Sequence, residues 1–367
     1  MAPVPDEAGM TRELRSGYTT GACAAAAAKG AALMLIKQQP VSEVCIDLPT
    51  GTSATFQLHG RSYSPSEAAC FVIKDAGDDP DITNGAEVHA RVSRHHPEAV
   101  IGDGSIVIKG GSGIGRVTKP GLAIAPGEWA INPVPCLMIK QAVTDALTEF
   151  KLQNSKFKVI ISIPDGEERA KKTLNARLGI IGGLSILGTT GIVRPISAKA
   201  WTDTIDASLD VARACGCETV ILSTGRSSEL AAQKHLSPLA EEACIMMGDH
   251  VAYALQACAK RGFMQPVIAC QFAKLLKIAC GHQNTHAGAS ELDLAVLLQW
   301  AKTAQLSPEI LTLIAQANTA REIAIASGFD NTLVKLVTER VIQTAASHAP
   351  GILARPLLCR YDGGIIT

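Results

Sequence analysis

Leu178-Gly-Ile-Ile-Gly-Gly-Leu-Ser-Ile-Leu-Gly-Thr-Thr-Gly-Ile-Val-Arg-Pro195 organises the chain. Five glycines (Gly179, Gly182, Gly183, Gly188 and Gly191) are set among Ile, Leu and Val. The apolar residues predict burial. The glycines predict a backbone that turns sharply or lies close against another. Gly188-Thr189-Thr190-Gly191 offers backbone N–H groups and two hydroxyls, a combination suited to an anionic ligand. Arg194 follows at once, and Pro195 ends any regular element. On composition alone, a buried strand and a tight turn at a domain junction remain an open alternative.

Upstream, Arg15-Ser-Gly-Tyr-Thr-Thr-Gly-Ala-Cys-Ala-Ala-Ala-Ala-Ala-Lys29 predicts a helix from about Gly21 to Gln38, capped by Thr20. Its first turns carry almost no side chain, which suits close packing against another backbone or a flat ligand. Its unpaired N–H groups lie beside Thr19, Thr20 and Gly21. An alanine-rich core helix with an ordinary threonine cap is the competing reading. Residues 44–48 and 54–58 flank a hairpin-style turn, and 69–74, 87–93 and 105–109 complete an expected antiparallel set. The loop 75–84 holds Asp75, Asp78, Asp79 and Asp81, either a cation site or a solvated turn with local backbone bonds. The glycine run 110–115 leads to Arg116 and Lys119, two bases for a phosphate or carboxylate. A helix at 136–150 and a strand at 158–163 follow. The polar segment 164–175 then brings Asp165 up to the organising stretch.

Beyond Pro195 the pattern changes to helices alternating with short apolar strands. Helices are expected at 198–214, after Gly225, from a cap at Asp249 to Gly262, and at 274–280, 290–303, 308–317 and 330–347. Strands are expected at 218–224 and 266–270. Leu333, Leu336, Val337 and Val341 recur at helical spacing. The alternation predicts a three-layer α/β domain around a mostly parallel sheet. Its ligands would lie near the strand C-termini, where Thr224, Gly225, Arg226 and residues 271–274 fall. The expected class is therefore α/β with α+β: an N-terminal α+β domain over 1–195, ending in the glycine-rich junction, and a C-terminal α/β domain over 196–367.

The totals agree with two domains: 367 residues, 47% hydrophobic and 4% aromatic. With 32 glycines, the core is expected to rely on small residues and close backbone contacts. Lys+Arg and Asp+Glu are equal at 34 each, which argues against a nucleic-acid or membrane-surface partner. No apolar run is read as a membrane span, and the opening residues lack the pattern of a signal peptide. Eleven cysteines without a CxxC fit reduced thiols in a cytoplasm, and Cys215-Gly216-Cys217 is too tight for an ordinary structural zinc site. No nucleophile elbow, P-loop or HExxH is present. His282 and His286, with Asp249-His250, suggest either a metal site or hydrogen-bonded structural histidines.

Read together, the strings resemble the cobalt-precorrin-5B C1-methyltransferases, the CbiD proteins of anaerobic cobalamin synthesis. The residues that carry the resemblance are 15–29, 74–85, Gly113-Ile-Gly-Arg-Val-Thr-Lys-Pro-Gly-Leu122, Ile131-Asn-Pro-Val-Pro135, Pro164-Asp-Gly-Glu-Glu168, the organising stretch, Thr224-Gly-Arg226, Gly248-Asp-His250 and Asn284-Thr-His286. Departures lie at Ser112, Cys136-Leu137 and 270–274. The resemblance implies an N-terminal domain like the second domain of ribosomal protein S5. It implies methyl transfer from S-adenosylmethionine to C1 of cobalt-precorrin-5B, giving cobalt-precorrin-6A. The cobalt would belong to the substrate, so no protein-bound metal is expected. Arg116, Lys119, Arg177, Arg194 and Arg226 would pair with the macrocycle's carboxylates. The site is expected in a cleft between the domains, lined by Thr19–Gly21, Gly188, Thr189, Thr190 and Arg194, and Thr224–Arg226. Asp75, Asp165 and His250 are the candidate bases. Homo-oligomerisation and transient contacts with neighbouring cobalamin-pathway enzymes stay open. Two alternatives are carried: a non-catalytic tetrapyrrole-binding protein, and a metal-dependent hydrolase using His250, His282 and His286.

Overall fold

The computed structural model describes residues 14–94, 106–151, 156–195 and 197–366. It divides into two compact units, one ending at Ser197 and the other running on from Ala198. The protein is mixed α/β, with mixed sheets.

In the first unit, β1 (Gly17–Tyr18) leads into α1 (Thr20–Lys37). The cap is Thr19, one residue earlier than the sequence suggests: its hydroxyl accepts from the Ala22 N–H at 3.2 Å. Ala22 to Ala28 are all at most 1% exposed, so the bare face of this helix is bare because protein surrounds it. By length and composition α1 also qualifies as a membrane span, against the sequence expectation, but 83% of that window is buried inside the unit. A hairpin, β2 (Glu43–Asp47) and β3 (Ser53–Gln57), follows as expected. The main sheet is built from β4 (His59–Tyr63), β5 (Glu67–Ile73), β6 (Glu87–Arg94), β7 (Ile106–Gly110) and, beyond β8 (Arg116–Val117) and α2 (Pro133–Glu149), β9 (Phe157–Ser162). Its order is β4-β5-β6-β9-β7.

One expectation fails here. β7 does not join an antiparallel set; it lies parallel to β9, with Ile106 opposite Phe157. The connection through α2 is long enough to return the chain in the same direction. α1 and α2 pack together, α1 packs on β5 and β6, and the alternating residues of β5, β6 and β9 form one core with both helices. The unit continues through α3 (Gly166–Ala170), β10 (Ile180–Ile181) and β11 (Ile192–Val193). β10 pairs with β8 and β11 with β1, so the organising stretch is tied to two distant segments.

The second unit contains α4 (Ala198–Ala214), β12 (Ile221–Ser223), α5 (Arg226–His235), β13 (Cys244–Met246), α6 (Val251–Lys260), β14 (Val267–Cys270), α7 (Phe272–Ala279), α8 (Leu294–Thr303), α9 (Pro308–Gln316), α10 (Ala320–Ala326), α11 (Asn331–His348), β15 (Arg355–Cys359) and β16 (Ile365–Ile366). The sheet order is β13-β12-β14-β15-β16; the first four strands are parallel and β16 is antiparallel. Ile221, Val267, Ala269 and Cys359 pack with Ala231 and Ala232 of α5. Leu222, Ile245, Ile268 and Leu358 pack with residues of α4, α6, α7 and α11. α6 is not capped by Asp249. His250 holds the cap position, and the Asp249 carboxylate is used elsewhere.

Candidate functional site

In the first unit the organising stretch closes onto the start of α1. The Gly21 N–H donates to Leu187 O at 2.9 Å, the Thr20 hydroxyl accepts from the Leu187 N–H at 2.9 Å, and the Thr19 N–H donates to Gly191 O at 3.0 Å. Gly188, at φ +122, leaves no room for a side chain: a Cβ there would lie 2.4 Å from Thr19 Cβ. The polar groups of Thr19, Thr20 and Gly21, for which the sequence leaves a ligand and an ordinary helix cap open, fasten the 187–191 loop. Thr190 closes a local turn, its hydroxyl donating to Ile192 O at 3.0 Å and accepting from the Ile192 N–H at 3.2 Å. Thr189 and Arg194 are exposed.

Arg116, Lys119 and Arg177 gather around the β8–β10 pair. The Arg116 guanidinium lies over the Trp129 ring at 3.9 Å and donates to Gly127 O at 2.5 Å. Lys119 Nζ donates to Arg177 O at 3.2 Å. Beneath them, three glycines meet backbone to backbone. A Cβ at Gly113 would lie 1.8 Å from Ile163 O, and one at either Gly166 or Gly183 would lie 2.2 Å from Gly113 O. The glycine loop, the 164–168 segment and the organising stretch thus converge at one point.

The aspartate loop is tied to protein partners. Asp75 receives both Arg15 guanidinium nitrogens, at 2.5 and 2.8 Å, and the Gly77 N–H at 2.9 Å. The Arg15 hydrogen bonds, then the Gly77 bond, hold its carboxyl below the usual range. Asp78 accepts from the Arg15 N–H at 2.7 Å. Asp81 pairs with Lys74 at 2.6 Å, and the Lys74 side chain is 1% exposed. Asp165, exposed, accepts from Arg169 Nε at 2.7 Å and lines an open depression of about 350 Å³ with Ile82, Glu168, Arg169 and Lys172.

In the second unit the strand order supplies a stronger pointer. The chain passes from β12 to β13 on one side and returns to β14 on the other, so the direction of winding reverses between β12 and β14. Loops at such a reversal splay apart and leave a crevice beyond the strand C-termini. Thr224 sits there, its N–H donating to Ala269 O at 3.2 Å, and Gly225 opens α5. Arg226 bonds Glu229 at 2.5 Å; the carboxylate is fully buried while the guanidinium side chain is 59% exposed. Ser223 O accepts from both Met247 N and Gly248 N, at 2.9 and 3.2 Å, which folds the loop after β13 over the same edge.

Trp201 of α4 lies on that loop. Its indole N–H donates to Met247 O at 3.0 Å, and its ring is 6.3 Å from that of His250. Burial pushes the His250 imidazole below its ordinary value, with Asp249 acting in the opposite direction. Asp249 itself bonds Lys274 and, at 2.6 Å, the Thr285 hydroxyl. Lys274 and Lys277 both donate to Thr285 O, at 2.9 and 3.2 Å, and so pin the 284–290 segment. His286 Nδ1 accepts from the Gly288 N–H at 3.1 Å. Among the described residues no group of three or more His, Cys, Asp and Glu side chains could hold a metal ion, so His250, His282 and His286 form no ligand set. Sequence reasoning passed over Trp201, Glu229 and the Lys274–Asp249–Thr285 network. The Gly248-Asp-His250 and Asn284-Thr-His286 strings were the available signal for the last.

A family model described as CbiD matches residues 7–195, and one described as CbiD, C-terminal domain, matches residues 284–367. The chain belongs to the CbiD family. A protein of Pelobacter propionicus is 57% identical to this CbiD-family chain over 380 residues, covering 96% of each. One of Geobacter sulfurreducens is 56% identical over 360 residues, covering 97% of this chain and 98% of its own. Both are named cobalt-precorrin-5B C(1)-methyltransferase. The crystal structure of the cobalamin biosynthesis protein CbiD from Archaeoglobus fulgidus is 30% identical in sequence. It covers 74% of this CbiD-family chain and 81% of its own, with a TM-score of 0.40.

Proposed function

We propose that this chain is an S-adenosylmethionine-dependent methyltransferase that methylates C1 of cobalt-precorrin-5B, giving cobalt-precorrin-6A in anaerobic cobalamin biosynthesis. The observation that carries the reading is identity above 50% along nearly the whole length of proteins named for that activity. The sulfonium donor supplies an activated methyl group, whose bonding pair to sulfur stays with the departing thioether as the ring carbon forms its new bond. The chain's task is then to hold two ligands in line, a contribution of about 7–11 kcal/mol.

Arg116, Lys119, Arg177 and Arg194 of the first unit are proposed to receive the carboxylates of the macrocycle, whose cobalt is part of the substrate. Thr189 and Thr190, which precede Arg194 in the chain, are proposed to bind beside it. The edge beyond β12 and β14, with Thr224, Gly225 and Arg226, is proposed for the methyl donor. The reversal in strand order and the exposed guanidinium of Arg226 support that fit. Of the candidate bases, His250 suits the task best, because its imidazole stands beside Trp201 on the loop that folds over that strand edge. Asp75 is engaged by Arg15 and Asp165 by Arg169. The S5-like description of the first domain and the three-layer description of the second, divided at 195/196, belong to the same proposal, as does a cytoplasmic location. The helices backing one sheet and covering both faces of the other support the layer descriptions.

The test is anaerobic incubation with cobalt-precorrin-5B and methyl-labelled S-adenosylmethionine, followed by mass spectrometry and NMR of the macrocycle. One labelled methyl at C1 is expected. A macrocycle that binds but gains no methyl would refute the reading in favour of a carrier.

A further inference from the structure

Trp201 has no assigned role, and its setting is unusual. It is a large aromatic in the first turn of α4, yet 43% of it is exposed. An exposed indole is ordinarily free to change rotamer; this one is fixed on two sides. Its N–H is bonded to Met247 O. Its six-membered ring lies against Gly248, where φ is +58 and a Cβ would come within 2.7 Å of Trp201 Cζ2. The absence of a side chain at residue 248 is therefore what admits the ring. Met247 and Gly248 are in turn bonded to Ser223 O, the last residue of β12, one position before Thr224. A rigid, half-exposed aromatic surface thus stands at the strand C-termini, beside the place where the winding reverses.

We infer that Trp201, held by Met247 and Gly248, is the stacking surface for the adenine ring of the methyl donor. The inference rests on the methyltransferase reading above. It makes Trp201 a binding residue, Gly248 a positioning residue, and the edge beyond β12 and β13 the nucleoside subsite. Stacking a base on an aromatic side chain is a sequence-independent contact between π-faces, and removing the aromatic partner weakens binding about 5- to 150-fold.

The test titrates the full chain with S-adenosylhomocysteine, read by calorimetry and by tryptophan fluorescence; the other two tryptophans, Trp129 and Trp300, lie under Arg116 and Arg340. Wild type is expected to bind with quenching of the indole emission. Trp201→Leu should bind at least 5-fold more weakly and lose most of the quench. Trp201→Phe should retain most of the affinity. Gly248→Ala, which displaces the ring without removing it, should weaken binding like the leucine variant while keeping an unchanged circular-dichroism spectrum. If wild type binds but the leucine and alanine variants bind equally well, the subsite is wrong while the methyltransferase reading stands. Weakened macrocycle binding with unchanged S-adenosylhomocysteine binding overturns it in favour of a tetrapyrrole contact. No binding to wild type overturns the underlying reading, and the subsite with it.

Discussion

Replacing Asp81 by Asn should destabilise the first unit far more than replacing its partner. Lys74 is 1% exposed, so its ammonium has no access to water, and Asp81, 2.6 Å away, is its charged partner. The carboxamide keeps an oxygen for the two bonds from Thr83, at 2.6 and 2.7 Å, so the change isolates the charge. Removing one member of a buried pair costs about 3–5 kcal/mol. Asp81 is a quarter exposed, which places the expected cost near the lower bound, about 3 kcal/mol, or roughly 6–12 °C in Tm for a unit of this size. Lys74→Met leaves a carboxylate that is a quarter exposed and keeps both Thr83 bonds, so it should cost less than Asp81→Asn. The double variant should recover most of the loss.

The pH dependence follows from the same pair. Burial acts to raise the Asp81 pKa, but the Lys74 charge and the bonds from Lys74 and Thr83 outweigh it, and the net shift is downward. The stabilisation is therefore complete above the unfolded value near 4 and is lost as pH falls through the lower folded value. Calorimetry of the full chain from pH 3 to 7 measures both effects. An Asp81→Asn cost within about 1 kcal/mol of wild type, or equal costs for the two single variants, would refute the argument. The loop anchored by this pair also donates order upstream, because Asp75 O accepts from Tyr18 N and Arg15 O from Asp78 N.

Gly183→Ala should disrupt the three-glycine junction, since the added methyl meets Gly113 O at 2.2 Å; Gly51→Ala, at φ +81 in open space, should cost only about 1–2 kcal/mol, and thermal unfolding compares them. If His250 is the base, kcat should rise with pH through a value below 6.5 and stay flat from pH 7 to 8. His250→Asn should remove that acid limb while leaving S-adenosylhomocysteine binding unchanged, as a pH–rate profile with calorimetry would show. Arg194→Ala combined with Thr190→Ala should weaken macrocycle binding about 10-fold or more, with any loss in Tm coming from the two Thr190–Ile192 bonds because Arg194 is exposed; unchanged affinity would remove both from the substrate site.

Much of the fold was legible because it is written locally. The Thr19-Thr20-Gly21 start of α1, the hairpin around Gly51 and the span of α4 all follow from caps, turns and spacing. Pairing is not local, which is why β7 was placed antiparallel when its partner β9 lies some fifty residues further on. β4 escaped because all five of its residues are exposed and give no alternation, and β13 because Cys-Ile-Met is too short to show a period. The site was harder. Hydroxyls and N–H groups look alike in sequence whether they meet a ligand or a loop, and those of Thr20 and Gly21 meet Leu187. Trp201 was missed because an aromatic in an amphipathic helix reads as core until its exposure is known.

Among the described residues, the elements that α1 packs on most (α2, β2, β4, β5, β6 and β9) lie after it in the chain. During synthesis this helix therefore leaves the ribosome with nothing to pack against. At ordinary elongation rates of about 5–20 residues per second, β9 follows on the order of 10 s later. Until then α1, long and apolar enough by length and composition to cross a membrane, lacks its full set of partners. Its yield in cells should accordingly depend on ribosome-associated chaperones, and codon changes that slow translation between Lys37 and Phe157 should lower it.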